Sequence, residues 1–328
     1  MLKFTLPAII LFFSPLVAAR PLLTVYTHDF FASEWGPGPI VKKAFEAQCN
    51  CKLKYVVLGD GVMLFNRLRM EGNRTAADVV VGLDNNLMGI AEDTGLFAPA
   101  NIDLSPLRIP GGWNNKTFMP YDYGWLAFIY DKTKLANPPT SLHQLIDGDT
   151  PVKVIYPDPR TSTPGLGLLL WVQKVFGDNA AHAWHKLAKK TVTVTKGWGE
   201  AYGLFLKGEA DMVLSYTTSP AYHLIEQNRS QFAAASFSEG HYLQVEVAAK
   251  LKSSKHPQLA DKFMAFILSD DVQKLIPSTN WMYPVIATPL PVGYATLTKP
   301  AITLQYGPQE VANHRTTWVN SWQLNVSR

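Results

Sequence analysis

Three β-branched runs separated by two helical segments open this chain, and that alternation restricts its fold more than any other feature. Leu22–Thr27 (LLTVYT), Lys52–Leu58 (KLKYVVL) and Ala77–Leu83 (ADVVVGL) read as strands. Val41–Gln48 has helical spacing behind Pro37 and Pro39. Val62–Met70 follows Asp60-Gly61 and places Leu64, Phe65 and Leu68 on one face. The order β-α-β-α-β predicts an α/β sheet. A second series begins at Val152–Tyr156, a strand. It continues with a helix over Gly165–Phe176, N-capped by Thr163 with Pro164 at its first position, and a second helix over Ala180–Lys189. Thr191–Thr195 is a strand, Glu200–Leu206 a helix closed by Gly208, and Asp211–Tyr216 and Tyr242–Ala249 are strands. Helices at Pro257–Leu268 and Val272–Ile276 follow. No Gly/Ser-rich joint separates the two series, which favours two lobes sharing crossing strands over two independent domains.

Other features narrow the function. Pro (23) and Gly (22) are too few among 328 residues for a low-complexity chain. Thirty Lys+Arg against 26 Asp+Glu leave a net charge of +4. The basic residues are scattered, so the electrostatic footprint of a nucleic-acid binder is missing. Met1–Ala19 (MLKFTLPAIILFFSPLVAA) has one Lys, an apolar run too short to span a bilayer, and Val17-Ala18-Ala19 at its end. It reads as a secretory signal peptide, so the mature chain should be exported. Two cysteines, Cys49 and Cys51, cannot complete a metal site by themselves. In an oxidising compartment their expected fate is a short disulfide.

The chain has no G-x-x-x-x-G-K-[ST] and no G-x-S-x-G, and Gly165-Leu166-Gly167 lacks the third glycine of a dinucleotide fingerprint. What remains is a set of aromatics at loops. Trp35 lies among Gly36, Pro37, Gly38 and Pro39; Trp198 follows the strand TVTVT; Tyr216 ends MVLSY; Tyr222 follows it; Trp281 lies in NWMYP. Trp171 and Trp184, inside helices, are expected in the core. Ligands of open α/β sheets bind at the carboxyl ends of strands, so the loop aromatics mark a stacking site for a flat ligand between two lobes. Asp60, after a strand, is a helix N-cap or the counter-charge of a cation that such rings also attract. The helix opened by Ser162-Thr163-Pro164 offers free N–H groups to an anion.

At these residues the chain closely resembles the thiamine-binding periplasmic proteins of bacterial ABC importers. The resemblance is carried by TVYTHDFFASEWGPGPIVKKAFEAQCNCKL, ADVVVGLDNNL, DPRTSTPGLGLLLW, FSEGHYLQVEVAA and NWMYPV, among stretches covering nearly the whole mature chain. It implies an α/β, two-lobed, type II-like solute-binding fold with a ligand cleft between lobes joined by hinge strands. On that fold residues 20–122 and 243–282 would form the first lobe and 123–242 the second, with 283–328 packing on the second. The implied ligand is thiamine, its phosphate or its diphosphate, handed to a membrane permease with a separate ATPase. The implied location is the periplasm. No cofactor, no metal, no catalysis and no partner chain in the working monomer are expected. The implied contacts are Asp60, Gly61, Ser162, Thr163, Trp198, and Tyr216, Thr217, Thr218 and Ser219. Trp35, Tyr222 and Trp281 match further pocket aromatics. Where the family often carries Tyr in TVYTYD, this chain has His28, a smaller and titratable ring. Two rival readings remain. A thiamine-cleaving transferase on a related fold would need a cysteine in the cleft, and a ferric-ion binder of the same superfamily commonly uses adjacent tyrosines, which this sequence lacks.

Overall fold

The computed structural model describes residues 19–327, so the expected signal peptide lies outside the described residues except for Ala19. The strands in chain order are β1 (Leu22–His28), β2 (Lys52–Leu58), β3 (Val79–Asp84), β4 (Phe97–Ala98), β5 (Phe118–Asp131), β6 (Val154–Pro157), β7 (Thr191–Thr195), β8 (Met212–Tyr216), β9 (Phe232–Ala234), β10 (His241–Leu251), β11 (Tyr283–Pro284) and β12 (Thr303–Leu304). The α-helices are α1 (Asp29–Ala32), α2 (Gly38–Cys49), α3 (Gly61–Glu71), α4 (Met88–Asp93), α5 (Leu142–Asp147), α6 (Thr163–Phe176), α7 (Ala180–Lys190), α8 (Trp198–Leu206), α9 (Pro220–Glu226), α10 (Pro257–Ile267), α11 (Asp270–Gln273), α12 (Ile276–Thr279) and α13 (Pro308–Val326). Among the described residues no helix is long and apolar enough to cross a membrane.

The hydrogen-bonded order is β2-β1-β3-β10-β5-β8-β6-β7. β1 lies parallel between β2 and β3, and β6 lies parallel between β7 and β8. These are the two α/β series of the sequence. β5 joins them. Its Phe118–Trp125 stretch pairs antiparallel with β10, while Leu126–Tyr130 pairs with β8. At about 3.3 Å per residue this strand runs roughly 45 Å, long enough to serve two halves of one molecule. The two-lobed α/β architecture follows from it. The outer strand β2 exposes Lys52 and Lys54, charges that discourage further strand pairing at an open edge.

Several boundaries differ from expectation, and at α6 capping explains the shift. Ser162, not Thr163, is the N-cap of α6, and its Oγ accepts from the Gly165 N–H. α8 begins at Trp198, two residues earlier than expected, so the Trp198 N–H is a free donor of a first turn. The expected helix Val272–Ile276 is divided between α11 and α12. The sequence pattern indicates no element after Trp281, yet α13 is nineteen residues long. It packs against α7 and α6 on one side and α4 on the other. Gly89 of α4 allows this contact, because a Cβ there would lie 2.3 Å from the Pro308 carbonyl oxygen. Cys49 and Cys51 are joined to each other at the end of α2, with Asn50 between them in the left-handed region at φ 49°.

Trp171 and Trp184 are both buried. Trp171 packs on Phe237 and His241 at ring distances of 5.6 and 5.3 Å. His241 is itself enclosed: Nδ1 donates to the Leu126 carbonyl (2.7 Å) and Nε2 accepts from the Phe237 N–H (3.0 Å). Burial holds its pKa below the usual histidine value. The fold therefore keeps the neutral ring. That contribution is complete above the unfolded value of about 6.5 and is lost as pH falls through the lower folded value. An NMR titration of the imidazole should show a midpoint below 6.5. A midpoint at or above it would contradict the enclosed geometry.

Candidate ligand-binding site

A cavity of about 940 Å³ opens where the two series face each other. Its wall takes His28, Trp35 and Asp60 from the first series, Thr163, Trp198, Tyr216, Ser219 and Tyr222 from the second, and Glu246 and Trp281 from the segments after them. Most of these positions follow from the two parallel sets, which run in opposite directions and meet at the cleft through their carboxyl ends: His28 ends β1, Asp60 follows β2, Thr163 follows β6, Trp198 follows β7 and Tyr216 ends β8. Four expected residues do not reach the wall. Thr217 and Thr218 are fully buried behind the turn, where the Thr217 N–H donates to the Trp125 carbonyl at 2.9 Å. Ser162 is fully buried beneath the start of α6. Gly61 is the close-approach point between α3 and α6: a Cβ there would lie 2.5 Å from the Gly82 carbonyl and 2.6 Å from Thr163 Cγ2.

Asp60 caps α3 and also crosses the cleft. Oδ1 accepts from the N–H groups of Gly61 (2.6 Å) and Thr163 (2.9 Å), and Oδ2 from that of Trp198 (3.4 Å). One carboxylate thus sits at the N-termini of α3, α6 and α8, where three sets of free N–H groups and helix dipoles favour negative charge. Burial pushes its carboxyl upward, opposed by the Thr163 N–H, the Ser162 side chain, His28 and the Gly61 N–H. Two further contacts join the halves: the Met63 N–H donates to the Thr161 carbonyl (3.2 Å), and the Phe30 and Trp198 rings meet edge to face at 5.0 Å.

The aromatic wall is held in place by polar contacts. Trp198 Nε1 donates to Ser215 Oγ at 2.8 Å, and its ring stacks on Tyr202 at 5.2 Å. Ser219 Oγ, 2.6 Å from Ser215 Oγ, accepts from the Tyr216 N–H. The Tyr216 hydroxyl donates to Gln244 Oε1 on β10 at 3.2 Å. Tyr222 meets Trp281 edge to face at 5.3 Å. Trp281 holds φ 56°, a conformation uncommon for a bulky residue. Trp35 stands at the rim, 59% exposed, against Phe30.

Sequence reasoning missed Glu246. It lies in β10, all of whose residues are buried. Oε2 accepts from the Tyr121 hydroxyl (2.8 Å) and from Asn280 Nδ2 (3.3 Å). Oε1 faces His28 Nε2 at 3.6 Å. The His28 ring packs over Gly82, where a Cβ would lie 2.1 Å from its Cδ2, and Gly82 holds φ +107°. Asp122, opposite Glu246 on β5, is pushed well above the usual carboxylate range, first by burial and then by Glu246. The one sequence sign of this cluster was an acid inside the mostly apolar run YLQVEVAA. Asp29, Asp60, Glu226 and Glu246 all line the cavity, while no Lys or Arg does so among the described residues.

Residues 38–274 match the family described as bacterial extracellular solute-binding protein. Over 328 residues the chain is 63% identical to the thiamine-binding periplasmic protein of Escherichia coli (strain K12), covering 100% of each. A solved periplasmic thiamin binding protein superposes with a TM-score of 0.93 at 64% identity, covering 94% of this chain and 97% of that one. Iron-bound HitA from Pseudomonas aeruginosa superposes with a TM-score of 0.74 over 92% of this chain and 99% of that one. At 23% identity this is a likeness of fold alone. With the match running through both halves of the shared sheet, the chain belongs to the bacterial extracellular solute-binding protein family.

Proposed function

We propose that this protein captures thiamine and its phosphate esters in the periplasm and delivers them, as a monomer and without chemical change, to the membrane permease of an ABC importer with a separate ATPase. The observation that carries the reading is the composition of one cavity. It offers aromatic faces from both halves, carboxylates without a lysine or arginine among its described lining residues, and three helix N-termini at one end. A flat cation that ends in a hydroxyl or phosphate has the complementary order of groups. In this reading Tyr222 and Trp281 stack on a ring, and the ester phosphate meets the N–H groups of Thr163 and Trp198 in competition with Asp60. The names of the relatives, thiamine-binding periplasmic proteins, support it.

The closing bodies in this proposal are residues 20–122 with 243–282 and residues 123–242, rotating about β5 and β10. The tail 283–328 is assigned to the second body through α13 on α7, with α4 as a second bearing. Hinge closure about a ligand is an established mode for such two-lobed proteins. The non-catalytic part of the reading is supported by the cysteines, which are bonded to each other at the end of α2, outside the cavity wall.

Calorimetric titration of the mature chain with thiamine, its monophosphate and its diphosphate should give saturable one-to-one binding for each. Thiamine incubated with the protein and aniline should be recovered intact. Absence of binding, or steady loss of thiamine, would overturn the proposal.

A further inference from the structure

We infer that Glu246, on the crossing strand β10 beside His28, is the counter-charge for the ligand's ring cation, and that Asp60 is not. This rests on thiamine as the ligand and names the residue that reads its charge.

The cavity carboxylates differ in what each already holds. Asp60 accepts N–H groups from three helix N-termini, so its charge is compensated by the protein itself. Glu226 ends α9 at the cavity mouth, and Asp29 lies in the first turn of α1. Glu246 differs from all three. It is 8% exposed in the middle of a buried strand, where an ionised group needs a charged or strongly hydrogen-bonded partner. Oε2 has two neutral donors, the Tyr121 hydroxyl and the Asn280 amide. Oε1 has none within hydrogen-bond distance. Its nearest polar neighbour is His28 Nε2 at 3.6 Å, and that nitrogen is itself buried without a partner. Asp122, on the paired strand, adds an acid rather than a base.

The cavity floor therefore carries a carboxylate oxygen with no cation beside it. The Tyr216 hydroxyl is tied to Gln244, two residues from Glu246 on the same strand, and Tyr216 and Glu246 line the same cavity. A ring cation seated between this ring and Oε1 gains both the quadrupole and the charge. A neutral ring of the same shape gains only the stacking. Discrimination between cation and neutral isostere should consequently depend on Glu246.

The test is calorimetric titration with thiamine and with a neutral isostere in which an uncharged ring replaces the thiazolium. Wild-type protein should prefer thiamine by on the order of 30- to 4000-fold, the range for one side of a buried charge pair. E246Q should lose most of that preference by weakening thiamine alone. E246D should restore part of it. Equal weakening of both ligands by E246Q would mean a structural role and would overturn the inference, as would an unchanged preference. Should E246Q fail to fold, D60N decides the matter: it should keep the wild-type preference, and a lost preference there would make Asp60 the counter-charge. Failure of wild-type protein to bind thiamine at all would instead refute the ligand assignment.

Discussion

Asp60→Asn should weaken thiamine and its neutral isostere by similar amounts, about 2–3 kcal/mol, the scale of hydrogen bonds to a charged group. The side-chain amide can still accept from Gly61 and Thr163 through one oxygen. It turns an N–H toward the Trp198 N–H, where the carboxylate had presented Oδ2 at 3.4 Å. Since Thr163 and Trp198 belong to the second series and Asp60 to the first, the loss falls on the closed arrangement and not on any one ligand. Thiamine monophosphate should lose least, because its phosphate would meet the Trp198 N–H that the amide releases. Titration of the variant with all three ligands checks this. A loss confined to the cationic ligands would show that Asp60 pairs with the ring cation.

Trp171→Ala should cost about 3–5 kcal/mol of stability, the usual range for emptying a tryptophan site in a core. The side chain is fully buried, its Nε1 donates to the Gly240 carbonyl at 3.2 Å, and it packs on Phe128, Phe237 and His241. It anchors α6 to the start of β10, so it also steadies the helix that carries Thr163 to the cavity. Urea denaturation of the variant and the parent gives the difference. A change under about 1 kcal/mol, the cost of a mild core swap, would mean that the site collapses around the loss.

Much of this architecture can be read from residue order alone. β2 and β7 fall at their expected bounds because runs such as KLKYVVL and TVTVT carry their preference locally. Asp60, Thr163, Trp198 and Tyr216 can be found as candidates because each lies next to the carboxyl end of a parallel strand, and parallel strands deliver those ends to one place. Glu246 is not legible that way. Its partners Tyr121 and Asn280 are 125 and 34 residues distant; the register of β10 against β5 brings the first to it, and the packing of the turn after α12 the second. Thr217 and Thr218 fail for the converse reason: which residues of a turn face inward depends on the strand it leaves, not on composition. α13 escaped notice because its apolar stripe is thin. Val311, Trp318 and Trp322 recur at helical spacing, but polar residues fill the positions between them.

That same helix has a mechanical consequence. Trp322 sits 6.5 Å from Trp184 of α7 while Pro308 abuts Gly89 of α4, so in the proposed division the two ends of α13 bear on opposite bodies. No residue of α13 lines the cavity. Any rotation that widens the cavity must slide or lift one of those bearings. If the proposed bodies close as described, the angle of that swing is governed by packing remote from the ligand, and a substitution at Gly89 would act as a wedge under a lever, changing affinity without touching a single binding contact.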